Sequence, residues 1–182
     1  MDATAALLEY LRHGQLDAAC LIADPLQPTE WMVWHAIETP VVLVANPAHP
    51  LAGRQQVSVS ELSKQEFVLM ESTAPYSRQF ENTLSANRLE CQPFLRIQSA
   101  DTARRLVERG PFMSVLPLYT VQASLNEGSL CRIDVPECAW TQNVQLVLHQ
   151  SKVITPQIRG VLEEIKLALD SAFARKLYHV SE

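Results

Sequence analysis

Short apolar runs alternate with stretches of helical periodicity from one end of this 182-residue chain to the other, and that alternation admits few folds. Residues 4–13 put Leu7, Leu8 and Leu11 on one helical face, with Thr4 placed to cap the start and Gly14 placed to end it. Residues 16–23, interrupted only by Asp17, read as a short strand buried on both faces. Asp24-Pro25-Leu26-Gln27-Pro28 turns the chain. Residues 31–45, rich in Val, Ile and Trp, read as two strands divided at Glu38-Thr39-Pro40, and Pro47 and Pro50 end the segment by removing ladder donors.

Beyond that turn the alternation resumes. One helical turn is expected at 61–64, a buried strand at 67–70, and a helix over 76–89 with Phe80 and Leu84 inward. A strand at 94–97 leads to a helix capped by Ser99 or Asp101, stopped by Gly110, with Ala103, Leu106 and Val107 on its inner face. A strand at 112–116, a helix to about Leu125, and strands at 130–135 and 143–149 follow. Thr155-Pro156 opens the final helix, whose apolar stripe is Ile158, Val161, Leu162, Ile165, Leu169, Ala172 and Phe173. The pattern predicts an α/β fold with mainly parallel sheets.

Composition narrows the function. Apolar residues make up 47% and charged residues 19%, with a mean hydropathy near zero, which fits neither a disordered chain nor a membrane protein. Runs such as Val41–Ala45 fall far short of the ~20 residues that cross a bilayer. No export signal opens the chain, so a cytoplasmic location is expected. A net charge of −5 and a pI near 5.5 argue against a nucleic-acid surface in this chain. Cys20, Cys91, Cys131 and Cys138 follow no metal or redox spacing and read as free thiols.

Catalytic signatures are missing. The five glycines, at 14, 53, 110, 128 and 160, form no dinucleotide fingerprint, phosphate loop or nucleophile elbow, and the five histidines are scattered. No cofactor or metal is implied, and a non-enzyme is expected. Helix starts say more: their unpaired N–H groups and positive dipole end hold small anions. Thr4, Ser72-Thr73 and Ser99 each place hydroxyls at such a start, and strand-to-helix loops line the ligand crevice of open α/β sheets.

Three segments, in this order and spacing, resemble the effector-binding domain of the LysR-type transcriptional regulators. They are LLEYLRHGQLDAACL at 7–21, VVLVANPAHPLAGRQQVSVSELSKQEFVLM at 41–70, and SADTARRLVERGPFMSVLPLYTVQASLNEGSL at 99–130. His49-Pro50-Leu51-Ala52, followed by the Val-Ser-x-x-x-Leu stretch, is the most specific part. One departure is Phe112, where the family has a second glycine after Gly110; a bulky side chain there is expected to alter local packing.

The resemblance implies two Rossmann-like subdomains with a ligand cleft between them, similar to the type 2 periplasmic binding proteins. Subdomain I would be residues 1–45 plus 137–182, and subdomain II residues 46–136. Carried over by position, effector contacts fall on Ala3, Thr4, Ala23, Ser72, Thr73, Ser99, Ala100 and Asp101. Arg78 is a candidate supporting charge, with a plain exposed helix arginine as the simpler reading. The family also implies a homodimer through helices 5–13 and 101–109, an anionic small-molecule effector, and DNA contact only through an N-terminal winged helix-turn-helix domain absent from this sequence. The family's first subdomain-I strand is expected to be missing too, with its place disturbed or taken by another segment or chain. A solute-binding protein of the same fold is the alternative function.

Overall fold

A computed structural model of the chain describes residues 3–136 and 138–177, with Ala3 and residues 174–177 described by their backbone only. The chain divides into two compact units, residues 1–39 with 142–182 and residues 40–141.

The first unit is a sheet faced by two helices. Its strands are β1 (Ala19–Ala23), β7 (Trp140–His149) and the opening part of β2 (Trp31–Ala45), in the order β1–β7–β2. β1 and β7 are antiparallel, with Leu21 opposite Gln145. Gln150 N–H donates to Glu30 O while Thr39 Oγ1 donates to Gln142 O, so β7 and β2 also run oppositely. The interior position in this sheet is therefore held by β7. Alternate side chains point to alternate faces: Leu21, Trp31 and Val147 pack against Leu7, Leu8 and Leu11 of α1 (Ala3–Arg12). Leu146, Leu148, Met32 and Trp34 pack against Leu162, Ile158 and Ile165 of α6 (Pro156–Leu177).

The second unit carries the larger core. β3 (Val68–Met70) and β4 (Leu95–Ile97) are parallel, and a parallel bridge between Phe67 and Met113 joins them to β5 (Met113–Pro117). β5 pairs antiparallel with Val41–Ala45 of β2, which also pairs with β6 (Cys131–Arg132). All five residues of that β2 segment are buried, as an interior strand requires. The helices are α2 (Val59–Leu62), α3 (Pro75–Ala86), α4 (Ala100–Arg109) and α5 (Leu118–Asn126). Phe80 of α3 is fully buried between Phe67, 4.9 Å away, and Trp140, which it meets edge-on at 5.5 Å.

Several expectations change. The sheets are mostly antiparallel, because β2 and β7 each enter a sheet against its neighbours' direction; only the β3 side is parallel. Residues 31–45 form one strand rather than two. Pro40 is tolerated inside it, at the point where the chain passes from one unit to the other and the ladder changes partners. That crossing thus lies earlier than Ala45-Asn46. Thr4 sits inside the first turn of α1 rather than capping it. β1 is shorter than 16–23 and half exposed, since it is an edge strand. In α6 only Leu162 of the expected stripe is fully buried, and Val161 is 60% exposed. Phe112 stacks on Phe94 at 4.7 Å, and its ring lies 2.7 Å from where a Cβ on Gly110 would be, filling space a side chain there would need.

Candidate functional site

The site residues expected in the second unit gather at one end of its parallel strands. Met70 and Ile97 are register partners at the ends of β3 and β4, and Glu71 N–H donates to Ile97 O at 2.9 Å. Ser72 and Thr73 follow β3 after Glu71, while Ser99, Ala100 and Asp101 follow β4 after Gln98. Neighbouring strands lie about 4.8 Å apart, so two helix starts stand side by side beyond the carboxyl ends of the sheet.

The two starts are built differently. α4 is capped by Ser99, whose backbone is extended and whose Oγ accepts from Thr102 N–H at 3.3 Å. Ser99 is thus the cap, and Asp101 is not. α3 is capped by Ala74, without a side-chain bond, and opens with Pro75, whose fixed φ suits a first helical position. The N–H groups of Ser72, Thr73, Ala100 and Asp101 donate to no acceptor among the described residues. Four backbone donors, with the exposed hydroxyls of Ser72, Thr73 and Ser99, therefore surround the positive ends of two helices.

Charge at the site is arranged to leave those donors available. Asp101 accepts from Arg104, at 2.6 Å from Nη2, and pairs with Arg105 at 2.9 Å. Its bond from Arg104, aided by Arg105, holds its carboxyl below the usual range. Its side chain is therefore committed, and what it offers a ligand is its N–H. Arg104 also reaches Glu108, which accepts from Ser124 Oγ at 2.6 Å. Burial pushes the Glu108 carboxyl up, but the Ser124 and Arg104 bonds outweigh this and hold it low. Arg78, exposed on α3, donates to Ser72 O at 3.4 Å and Thr73 O at 3.3 Å, bracing the loop and adding positive charge beside it. Arg78 is thus both exposed, the simpler expectation, and a support of the loop, the other; a contact back across five or six residues has no periodic signal. Ser77, in the first turn of α3, is fully buried with its Oγ unpartnered among the described residues; nothing in the sequence marks it.

In the first unit, Ala3 and Thr4 open α1 and Ala23 ends β1, on a sheet edge rather than beside a second parallel strand. Among the described residues no cluster of His, Cys, Asp and Glu suits a metal ion, no helix is long and apolar enough to cross a membrane, and the four cysteines are free thiols.

An α/β domain with donor-rich helix starts beyond its strand ends is a small-molecule-binding domain in class. The family model described as the LysR substrate binding domain matches residues 1–170, and the chain belongs to that family. The HTH-type transcriptional activator CmpR of Synechocystis sp. (strain ATCC 27184 / PCC 6803 / Kazusa) is 25% identical over 149 residues, 82% of this chain and 49% of the relative. A RuBisCO operon transcriptional regulator of Allochromatium vinosum is 25% identical over 163 residues, 90% of this chain and 53% of the relative. The chain thus spans about half the length of these curated relatives, which are transcriptional regulators. Among solved structures, the regulatory domain of Synechocystis PCC6803 CcmR in complex with 2-PG aligns with a TM-score of 0.73 at 16% identity, covering 97% of this chain and 81% of that one. The effector binding domain of QuiR in complex with shikimate aligns at 0.69 and 15% identity, covering 97% and 79%. These two likenesses establish a shared fold.

Proposed function

We propose that this chain is the ligand-sensing part of a LysR-type transcriptional regulator, and that it binds a small anionic metabolite whose presence alters DNA binding by a longer polypeptide. The observation that carries this reading is the loop at Ser72-Thr73 that leads into α3, beside the start of α4 at Ser99-Asp101, with four N–H groups that meet no acceptor among the described residues. Backbone donors at helix N-termini favour negative charge. Ala3, Thr4 and Ala23 stand as further contacts on the family resemblance alone.

Family membership also supports a homodimer built from α1, residues 5–13, against α4, residues 101–109, of a second copy. The role of the relatives supports a cytoplasmic location. A thermal-shift and calorimetry screen of metabolite carboxylates and phosphate esters, including 2-PG and shikimate, tests the ligand. Binding of anions supports the reading; binding of neutral or cationic compounds alone contradicts it. A monomer by light scattering at tens of micromolar contradicts the dimer.

A further inference from the structure

The His49-Pro50-Leu51-Ala52 segment takes no part in the site described above, because it lies at the other end of the second unit's sheet. Ala45 pairs with Met113, the first residue of β5, and β5 runs parallel to β3. The loop after β2 therefore stands beyond the starts of the parallel strands, whose far ends lead to Ser72 and Ser99. There the loop and the end of α4 line a cavity of about 290 Å3.

The loop is held firmly. Asn46 Nδ2 donates to Glu108 O at 2.5 Å, its Oδ1 accepts from Ala48 N–H at 2.9 Å, and His49 N–H donates to Asn46 O at 2.9 Å. His49 is only 7% exposed. Leu51 N–H donates to its Nδ1 at 3.2 Å, which needs a lone pair there, so the ring proton sits on Nε2. Burial lowers the pKa of the ring, which keeps it neutral. His49 lines the cavity, and its Nε2–H meets no acceptor among the described residues. A donor buried this far without a partner calls for a polar occupant.

Arg109 lines the same cavity, and its exposed guanidinium pairs with no carboxylate among the described residues. None of the lining residues is acidic. Asn46 also covers the carbonyl of Glu108, one of those that make a helix end negative. Ala48, Pro50 and Pro111 supply apolar walls.

We propose that this cavity binds a small monocarboxylate, whose oxygens accept from His49 Nε2–H and the Arg109 guanidinium while a short apolar body lies against Ala48, Pro50 and Pro111. A guanidinium matches a carboxylate in charge and in geometry. The volume stands at the small end of ligand pockets, ~300–1,000 Å3, which limits the body to a short chain or one ring. The site is separate from the one at Ser72 and Ser99 and does not rest on it.

The test is a titration of the 182-residue chain with butanoate, pivalate and benzoate to tens of millimolar, with benzamide as the neutral counterpart, followed by assigned amide and histidine-ring resonances. Saturable shifts of Ala48, His49, Leu51 and Gly110 are expected with at least one acid, and at least about fivefold weaker binding of benzamide than of benzoate. Shifts at Ser72, Thr73, Ala100 and Asp101 report the other site, so the two succeed or fail separately. Arg109→Gln, an exposed change, should weaken binding at this cavity by about tenfold without altering the mass read by light scattering. Any of four results overturns the proposal: no saturable shift of these residues with any of the acids, equal affinity for benzoate and benzamide, a His49 ring proton found on Nδ1, or an Arg109→Gln affinity that is unchanged or that falls only together with the oligomeric mass.

Discussion

Replacing Ser99 separates what the start of α4 does for folding from what it does for a ligand. Its Oγ accepts from Thr102 N–H at 3.3 Å, long for an N–H···O bond, which places the loss in Ser99→Ala at the low end of the N-cap range, ~0.5–1 kcal/mol. For a chain of this size, ~1 kcal/mol moves a melting temperature by about 2–4 °C, so Ser99→Ala should melt ~1–4 °C lower. Ser99→Asp keeps a good cap and adds a charge the dipole favours, so its melting temperature should hold or rise. Binding goes the other way. A new carboxylate about 4 Å from a bound anion costs ~1–4 kcal/mol across the effective dielectrics of a protein surface, at least about fivefold in affinity. Asp101 does not exert this effect, since Arg104 and Arg105 neutralise it. Ser99→Asn, capping but neutral, should bind the anion more tightly than Ser99→Asp does. Differential scanning fluorimetry paired with calorimetry against the tightest acid from the screen reads both effects. Equal anion affinity in Ser99→Asp and Ser99→Asn would refute an anion site at this helix start.

Three further outcomes follow from the packing. Phe80→Ala removes a fully buried ring held between Phe67 and Trp140 and should cost ~3–5 kcal/mol in urea unfolding; a loss below ~1 kcal/mol would mean this cluster does not anchor the second unit. Gly110→Ala should displace the Phe112 ring from Phe94 and destabilise by ~1–3 kcal/mol, and Gly110→Ala/Phe112→Gly should recover most of it, checked by a double-mutant cycle. Asp101 and Glu108 have carboxyls held below their ordinary values, so their contribution is present above pH about 4.5 and is lost as pH falls through the lower folded values. Glu108→Gln should flatten that acid limb of the urea midpoint, and an unchanged limb would count against the Arg104–Glu108–Ser124 network.

Much of the second unit was legible because its signals are local. Ser99 capping, the stop at Gly110, the inward Phe80 and Leu84, and the buried run at 41–45 each follow from a few neighbouring residues. Strand direction was not legible, because apolar runs carry no mark of whether the partner strand is parallel; β2 and β7 pass between units and so oppose their neighbours. Pro40 misled for a related reason: it breaks an ordinary strand, yet it sits where β2 changes units and partners. The α6 stripe has the right period, but how much of it is covered depends on how much sheet lies opposite. At the candidate site the hydroxyls were visible in sequence, whereas the Arg78 brace and the unpartnered Ser77 depend on how a loop folds back.

The claim that the paired helix starts hold an anion is tested most directly by amide resonances during titration with the tightest acid from the screen. The largest shifts should fall on the N–H groups of Ser72, Thr73, Ala100 and Asp101, and saturate with the calorimetric affinity. Saturable binding that leaves those four amides unmoved would contradict the account.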